Sequence, residues 1–504
     1  MCNQPSTYDL LIIGGGINGA GIAADASGRG LNVMLCEMND LASATSSSSS
    51  KLIHGGLRYL EHYEFRLVKE ALTEREILLK KAPHIIWPMR FLLPHQPHLR
   101  PAWMIRAGLF LYDHLATRTT LGPSKGIEFN VNSPLVSEIS NGFEYSDGWV
   151  DDARLVILNA MAAHDAGASI KTRTQCINAK RYADHWVVTL QNTLNGEIQT
   201  IATKALVNAS GPWVTDLLSN VIQLMSVPSS SQKKIRLVKG SHIVVPRIYK
   251  GPEAFILQNK DDRIIFVIPY ENKYSLIGTT DVEYEGDPSA VSISKEEIDY
   301  LITVTNEHFK AQISSNDITW CYSGVRPLLD DDESDSAQAV SRDYSFEIDT
   351  ADSKAPLLSV FGGKITTYRK LAEAAVDKLG EYYSDVGAAW TENTPIPGGD
   401  FKDHASLSND LGKRYPWLPS ELRARYVRTY GTLSYTLIND ASSLKCLGEN
   451  FGAGLYSAEI NYLLTYEWAL TSEDILWRRT KLGLRLSEAE KNYLTQHLEN
   501  LLRD

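Results

Sequence analysis

Tyr8-Asp-Leu-Leu-Ile-Ile13-Gly14-Gly-Gly-Ile-Asn-Gly19 decides the fold class of this chain. Its apolar half is short and uninterrupted, as in a parallel strand buried on both faces. Its glycine half, Gly14-x-Gly16-x-x-Gly19, opens a helix of small residues that runs to Arg29 and is ended by Gly30. Leu31-Asn-Val-Met-Leu-Cys36 predicts a second strand closing on Glu37. In such a fingerprint the first glycine permits a tight turn, the second lets backbone approach a pyrophosphate, and the third allows close helix–strand packing. The helix N-terminus offers free N–H groups to phosphates, and a carboxylate at Glu37 can accept ribose hydroxyl protons. The reading is a Rossmann-type dinucleotide site. Spacing alone leaves FAD and NAD both open. No second fingerprint follows, so one dinucleotide is expected, reduced directly by the substrate.

Three further segments look built to surround that cofactor. Leu206-Val-Asn-Ala-Ser-Gly-Pro-Trp213 ends a strand in small residues, bringing Ala209 and Gly211 within backbone reach of a ligand. Phe361-Gly-Gly-Lys-Ile-Thr-Thr367 sets Gly362 and Gly363 at the start of a helix, with Lys364, Ile365 and Thr366 in its first turn. The run Ser43-Ala-Thr-Ser-Ser-Ser-Ser-Ser-Lys51 reads by composition as a linker. So early in a nucleotide fold, it reads better as a donor loop, with Thr45, Ser46, Ser47, Lys51 and the nearby His54 reaching phosphates or ring.

The chain has 504 residues, enough for about three domain equivalents and a large core. With 50 Lys+Arg against 61 Asp+Glu, a net charge of −11 argues against general nucleic-acid binding. Five scattered cysteines without a CxxC pair argue against a disulfide framework and a zinc site, and no metal is expected. No apolar stretch is long enough to span a bilayer, and the N-terminus has no signal-peptide pattern. Residues 66–118 depart from the rest: nine basic against four acidic residues, interleaved with Trp87, Phe91, Trp103, Phe110 and Tyr112. That mixture, with Arg90, Arg100 and Arg106, suits a surface resting on anionic lipid. Strand patterns dominate from about 170 to 285, with a hairpin around Asn195-Gly196, and helical patterns after about 398.

The run from Leu11 to Asp25, together with Ser50-Lys-Leu-Ile-His-Gly-Gly-Leu-Arg-Tyr-Leu-Glu61, Ser323-Gly-Val-Arg-Pro327 and Ser359 to Arg369, resembles the FAD-dependent aerobic glycerol-3-phosphate dehydrogenases of bacteria. The resemblance covers nearly the whole chain. It implies an α/β chain, α+β overall. A Rossmann-type FAD-binding domain of the glutathione-reductase/D-amino-acid-oxidase type would comprise 1–75, 145–235 and 320–397. A β-sheet domain for substrate and membrane (76–144 and 236–319) and a helical C-terminal domain (398–504) would complete it. It also implies oxidation of sn-glycerol 3-phosphate to dihydroxyacetone phosphate with FAD as first acceptor and a membrane quinone as second. The family is peripheral on the cytoplasmic face of the inner membrane, commonly a homodimer.

A phosphate dianion calls for arginine forks, and Arg58, Arg326 and Arg342 are the candidates, with Tyr59 and Thr280 as hydroxyl donors. His242 is expected as general base or proton relay, with His54 as rival. Lys364 is expected to stabilise the alkoxide or the reduced ring. Alternatives are an oxidase passing electrons to O₂, a D-amino-acid oxidase relative, a non-enzymatic flavoprotein and an NAD-dependent dehydrogenase. Three candidate phosphate arginines favour phosphate over an amino acid, which needs only one carboxylate-binding arginine.

Overall fold

Leu10, Leu11 and Ile12 are fully buried, which fits a strand with neighbours on both edges and layers on both faces. The computed structural model describes residues 6–57, 60, 63–97, 99–222, 235–261, 263–329, 343–350 and 354–501. Among these, Ser6–Ile13 is central in an eight-stranded sheet. It pairs in parallel with Val33–Cys36 on one side and Ile198–Asn208 on the other. Ser169–Lys171 and Leu357–Gly362 extend the parallel array, and Tyr344–Asp349 closes one edge antiparallel. The hairpin around Asn195-Gly196 is present as Trp186–Asn192 against Ile198–Asn208.

The helix Ile17–Gly28 packs between helices Asp152–Asp165 and Tyr368–Gly380. Its small residues are what this sandwich requires. A Cβ on Gly21 would lie 2.8 Å from the Tyr368 ring. Gly14 turns the chain at φ +117°, where a side chain would press on the Ala209 carbonyl.

Ten further strands form a second, mainly antiparallel sheet. Ile235–Pro246 lies against Tyr274–Gly278 on one side and Trp320–Leu329 on the other. Ile86–His95 pairs with Asn141–Val150, which also receives Leu52–Ile53. The domain limits expected from sequence therefore shift. Residues 52–53, 145–150 and 320–329 belong to the second sheet rather than the first, because their pairing partners lie there.

The C-terminal part is helical, as expected, with helices His404–Arg414, Ser420–Tyr430, Ser457–Glu467 and Glu488–Leu501 around their own apolar core. It reaches the second sheet at two points. Trp477 stacks on Trp320 with centroids 4.4 Å apart, and Tyr274 donates to the Leu484 carbonyl (2.6 Å).

Candidate active site

The carboxyl ends of the parallel strands open on a cavity of about 410 Å³, the position at which open α/β sheets bind ligands. Gly14, Gly16, Glu37, Thr45, Ser46, Ala209, Gly211, Gly362 and Gly363, drawn from four distant stretches of chain, all line it. Gly19 sits beneath, where a Cβ would fall 3.1 Å from the Gly14 carbonyl carbon.

Glu37 is held by backbone donors: Gly15 N–H to Oε2 (2.7 Å) and Asn39 N–H to Oε1 (2.8 Å). Burial pushes its carboxyl up, against the pull of those two N–H groups. Asn18, which sequence reasoning passed over, donates from Nδ2 to the Gly362 carbonyl (3.1 Å) and so ties the first helix to the second glycine pair. Its Oδ1 is buried in the cavity wall without a hydrogen-bond partner. An acid at the strand end, glycine backbone on two sides and an orphaned amide oxygen match the donor set a dinucleotide needs, so the residues fit FAD.

The serine run is an ordered turn at a three-way junction. Ser46 Oγ accepts from Ile17 N–H (3.0 Å), at the start of the first helix. Thr45 Oγ1 donates to the Val325 carbonyl (2.6 Å), and Tyr322 donates to the Ser49 carbonyl (2.8 Å). Ser49 Oγ donates to Asp152 (2.7 Å). Lys51, expected at the cofactor, instead lies buried beneath the turn. Its ammonium donates to the Ser47 carbonyl (2.7 Å) and to both oxygens of Asp152 (2.8 Å each). Ser47 Oγ turns back to the Ala44 carbonyl (3.4 Å) and does not line the cavity.

Across from this turn stands one face of the strand pair Ile235–Pro246 and Trp320–Leu329. Strand alternation puts His242, Tyr322, Gly324 and Arg326 on it. His242 stacks on Tyr322 (4.8 Å, 17°), and its Nε2 lies 3.0 Å from Ser50 Oγ. Its Nδ1 is buried without a partner. Burial, with the Lys51 and Arg326 cations adding, holds this imidazole well below the usual histidine range, so it is neutral near pH 7. The ring fits only because Gly278 is opposite: a Cβ there would sit 2.7 Å from His242 Cγ.

Arg326 ion-pairs with Asp281 and donates to Thr279 Oγ1 (2.9 Å), two partners that sequence reasoning missed because they lie on another strand end. Thr280 points the other way. Its hydroxyl donates to Glu297 (2.6 Å) and receives the Ser241 N–H (2.9 Å), so it braces the opposite face and does not reach the cavity. Lys364 is half-buried just before the short helical turn Ile365–Thr367. In that turn Ile365 packs on the apolar core around the helix Ile17–Gly28, and Thr366 Oγ1 accepts from the His54 N–H (3.3 Å). Arg58, Tyr59 and Arg342 lie outside the described residues.

Residues 9–369 match the family model for FAD-dependent oxidoreductases, and residues 389–501 match the C-terminal domain of alpha-glycerophosphate oxidase. The aerobic glycerol-3-phosphate dehydrogenase of Escherichia coli (strain K12) is 56% identical over 493 residues, covering 98% of this chain and 97% of that protein. The D-erythritol 1-phosphate dehydrogenase of Brucella abortus (strain 2308) is 50% identical over 502 residues, covering 99% of both. The crystal structure of the glycerol-3-phosphate dehydrogenase from Bacillus halodurans complexed with FAD superposes with a TM-score of 0.74 at 27% identity, covering 99% of this chain and 95% of that one. Cavity, fold and sequence agree: the chain belongs to the FAD-dependent oxidoreductase family, in the branch that contains the aerobic glycerol-3-phosphate dehydrogenases.

Proposed function

We propose that this protein oxidises sn-glycerol 3-phosphate to dihydroxyacetone phosphate and passes the electrons to a membrane quinone at the cytoplasmic face of the inner membrane. The observation that carries the reading is the buried, neutral His242 on the same strand face as Arg326, opposite the turn that lines the cofactor cavity. Bound FAD supplies the hydride acceptor. His242 takes the proton of the C2 hydroxyl. In the tautomer whose Nε2–H donates to Ser50 Oγ, Nδ1 carries the lone pair, and Nδ1 is the ring atom without a protein partner. Arg326, its guanidinium held by Asp281 and Thr279 yet 25% exposed, brings positive charge to phosphate oxygens or to the developing alkoxide. Lys364 adds positive charge at the same end of the sheet. The reading keeps Arg58, Tyr59 and Arg342 as phosphate contacts on the grounds of charge and sequence context.

Membrane contact rests on the apolar residues of the segment expected to meet lipid more than on its basic ones. Arg90 is engaged by Glu144 and Arg106 by Ser124, so much of the basic excess is used internally. The helix Ala102–His114 instead buries Leu109 and Tyr112 and leaves Trp103, Met104, Phe110 and Leu111 exposed, in pairs seven residues apart on one side. Such a face suits the headgroup–acyl boundary of a bilayer. Among the described residues no helix is long and apolar enough to cross a membrane.

The identity to an erythritol phosphate enzyme favours a second reading, in which a four-carbon polyol phosphate is the substrate. Anaerobic addition of each compound to the yellow holoenzyme separates the two. Bleaching of the flavin band by glycerol 3-phosphate, but not by glycerol or D-alanine, is expected. Bleaching by erythritol 1-phosphate alone would select the second reading, and bleaching by neither phosphate would reject both.

A further inference from the structure

The loop that follows Glu37 carries a buried carboxylate with no part in the chemistry above. Asp40 is fully buried between Asn39 and Ala42, both of which line the cofactor cavity. Both of its oxygens are taken by the C-terminal domain. Arg479 donates from Nη1 to Oδ2 (2.6 Å) and from Nη2 to Oδ1 (2.8 Å), and Arg478 donates from Nε to Oδ2 (2.6 Å). The same helical turn, Asp474–Arg479, grips the loop from its other side. Asp474 accepts Arg173 Nη2 on both oxygens (2.8 Å each), and the Arg173 N–H donates to the Asn39 carbonyl (2.8 Å). Next to it, the Thr174 N–H donates to the Glu37 carbonyl (2.8 Å).

The clamp is rigid in itself. Asp474 is fixed by the N–H groups of Leu470 and Thr471 (2.9 Å each), and Arg479 also donates to the Glu467 carbonyl (2.6 Å). Nor is it needed merely to hold the domain in place. Lys481 on Asp151, Arg428 on Glu271, Arg154 on Glu467 and Tyr274 on Leu484 join the C-terminal domain to the rest elsewhere. What distinguishes the Asp40 contact is that it falls on the wall of the cofactor cavity, one residue from Asn39, whose N–H orients the Glu37 carboxylate.

We propose that the C-terminal domain sets how tightly the FAD-binding domain holds its cofactor, with Arg478, Arg479 and Asp474 as positioning residues for the loop of Glu37 to Ala42. Without the clamp the loop keeps its sequence and its ligand groups but loses the fixed geometry that gives a preorganised site its affinity.

Asp40→Asn keeps the size of the side chain and removes the charge that both arginines hold. Arg173→Gln breaks the second grip at a side chain that is 14% exposed and stands outside the C-terminal core. The purified holoenzyme of each variant is diluted and flavin release followed by recovery of FAD fluorescence. Melting is recorded without added FAD and with FAD in excess. The expected result is an FAD dissociation constant raised roughly tenfold, equivalent to about 1.4 kcal/mol, with a melting temperature that falls without added FAD and recovers with excess. An unchanged FAD dissociation constant, with melting lowered equally in both conditions, would overturn the proposal and leave a purely structural contact. If Asp40→Asn is not recovered folded, Arg173→Gln decides by the same two readouts.

Discussion

Lys51→Met removes a cation that is 1% exposed from a carboxylate, Asp152, that is 0% exposed. Three hydrogen bonds go with it: two to Asp152 and one to the Ser47 carbonyl, which is left without its donor. Breaking a buried pair from one side costs about 3–5 kcal/mol. The lower end applies because Asp152 keeps Ser49 N–H, Ser49 Oγ and Ala153 N–H. With an unfolding entropy of about 2.1 cal/mol/K per residue over the whole chain, ~3 kcal/mol lowers melting by about 3 °C. The damage also reaches the cofactor, because Lys51 supports the turn whose Ser46 accepts from the start of the first helix. The assay is calorimetric melting of wild type, Lys51→Met, and Lys51→Met with Asp152→Leu. Replacing both charges removes the stranded carboxylate, so the double variant should recover at least half of the loss. A shift below about 1 °C for Lys51→Met, or a double variant no better than the single, would refute this account of the turn.

Gly278→Ala should displace the His242 ring, since its Cβ would fall 2.7 Å from His242 Cγ. Turnover should drop roughly a hundredfold with FAD content unchanged, and a variant with normal turnover would remove His242 placement from the rate. His84 is held at about 3 by burial and the nearby Arg154, against an ordinary value of 6.5. Below pH 6.5 the unfolded chain binds a proton that the folded one refuses, so stability falls as pH drops, by about 1.4 kcal/mol per unit until the folded value is reached. The loss of melting temperature between pH 7.5 and 5 should therefore be smaller in His84→Gln, and an equal loss would contradict the assignment. Trp103→Ser with Phe110→Ser removes two side chains that are 70% and 57% exposed. Binding to anionic vesicles should weaken by about 3 kcal/mol or more, whereas unchanged sedimentation with vesicles would place the membrane surface elsewhere.

The parts legible in the sequence are those whose cause is local. The glycines of 14–19 and Glu37 belong to one strand–helix–strand unit, so spacing alone located them. Ala209 and Gly362 could be picked out because small residues ending an apolar strand have few other uses, even though their strands join the sheet from far along the chain. Thr280 was misplaced because its neighbourhood was right and its face was not. Ser241 and His242 are adjacent, and alternation sends one to Glu297 and the other to Ser50. The same limit moved Trp320–Leu329 from one sheet to the other, since nothing local in that segment specifies pairing with Ile235–Pro246. The basic excess of 66–118 has another limit: a count of charges cannot see that Arg90 already has Glu144.

The residues least legible of all form a pattern. Lys51 with Asp152, Arg369 with Glu74, Arg154 with Glu467 and Arg479 with Asp40 are buried pairs joining segments that sequence separates by 101 to 439 residues. Each lies at a seam between layers rather than within one. Apolar periodicity specifies each layer, but an apolar surface tolerates many relative placements of its neighbour, whereas a buried charge tolerates only the one that supplies its counter-charge. These pairs therefore contribute little net stability against well-packed apolar substitutes and much to the single arrangement of the domains. Replacing Arg154 and Glu467 together by Met and Leu should leave melting within about 2 °C while loosening the seam. Hydrogen exchange of the Asp152–Asp165 and Ser457–Glu467 helices should rise at their facing ends. If exchange there stayed as slow as in the wild type, shape alone would be holding the domains in register.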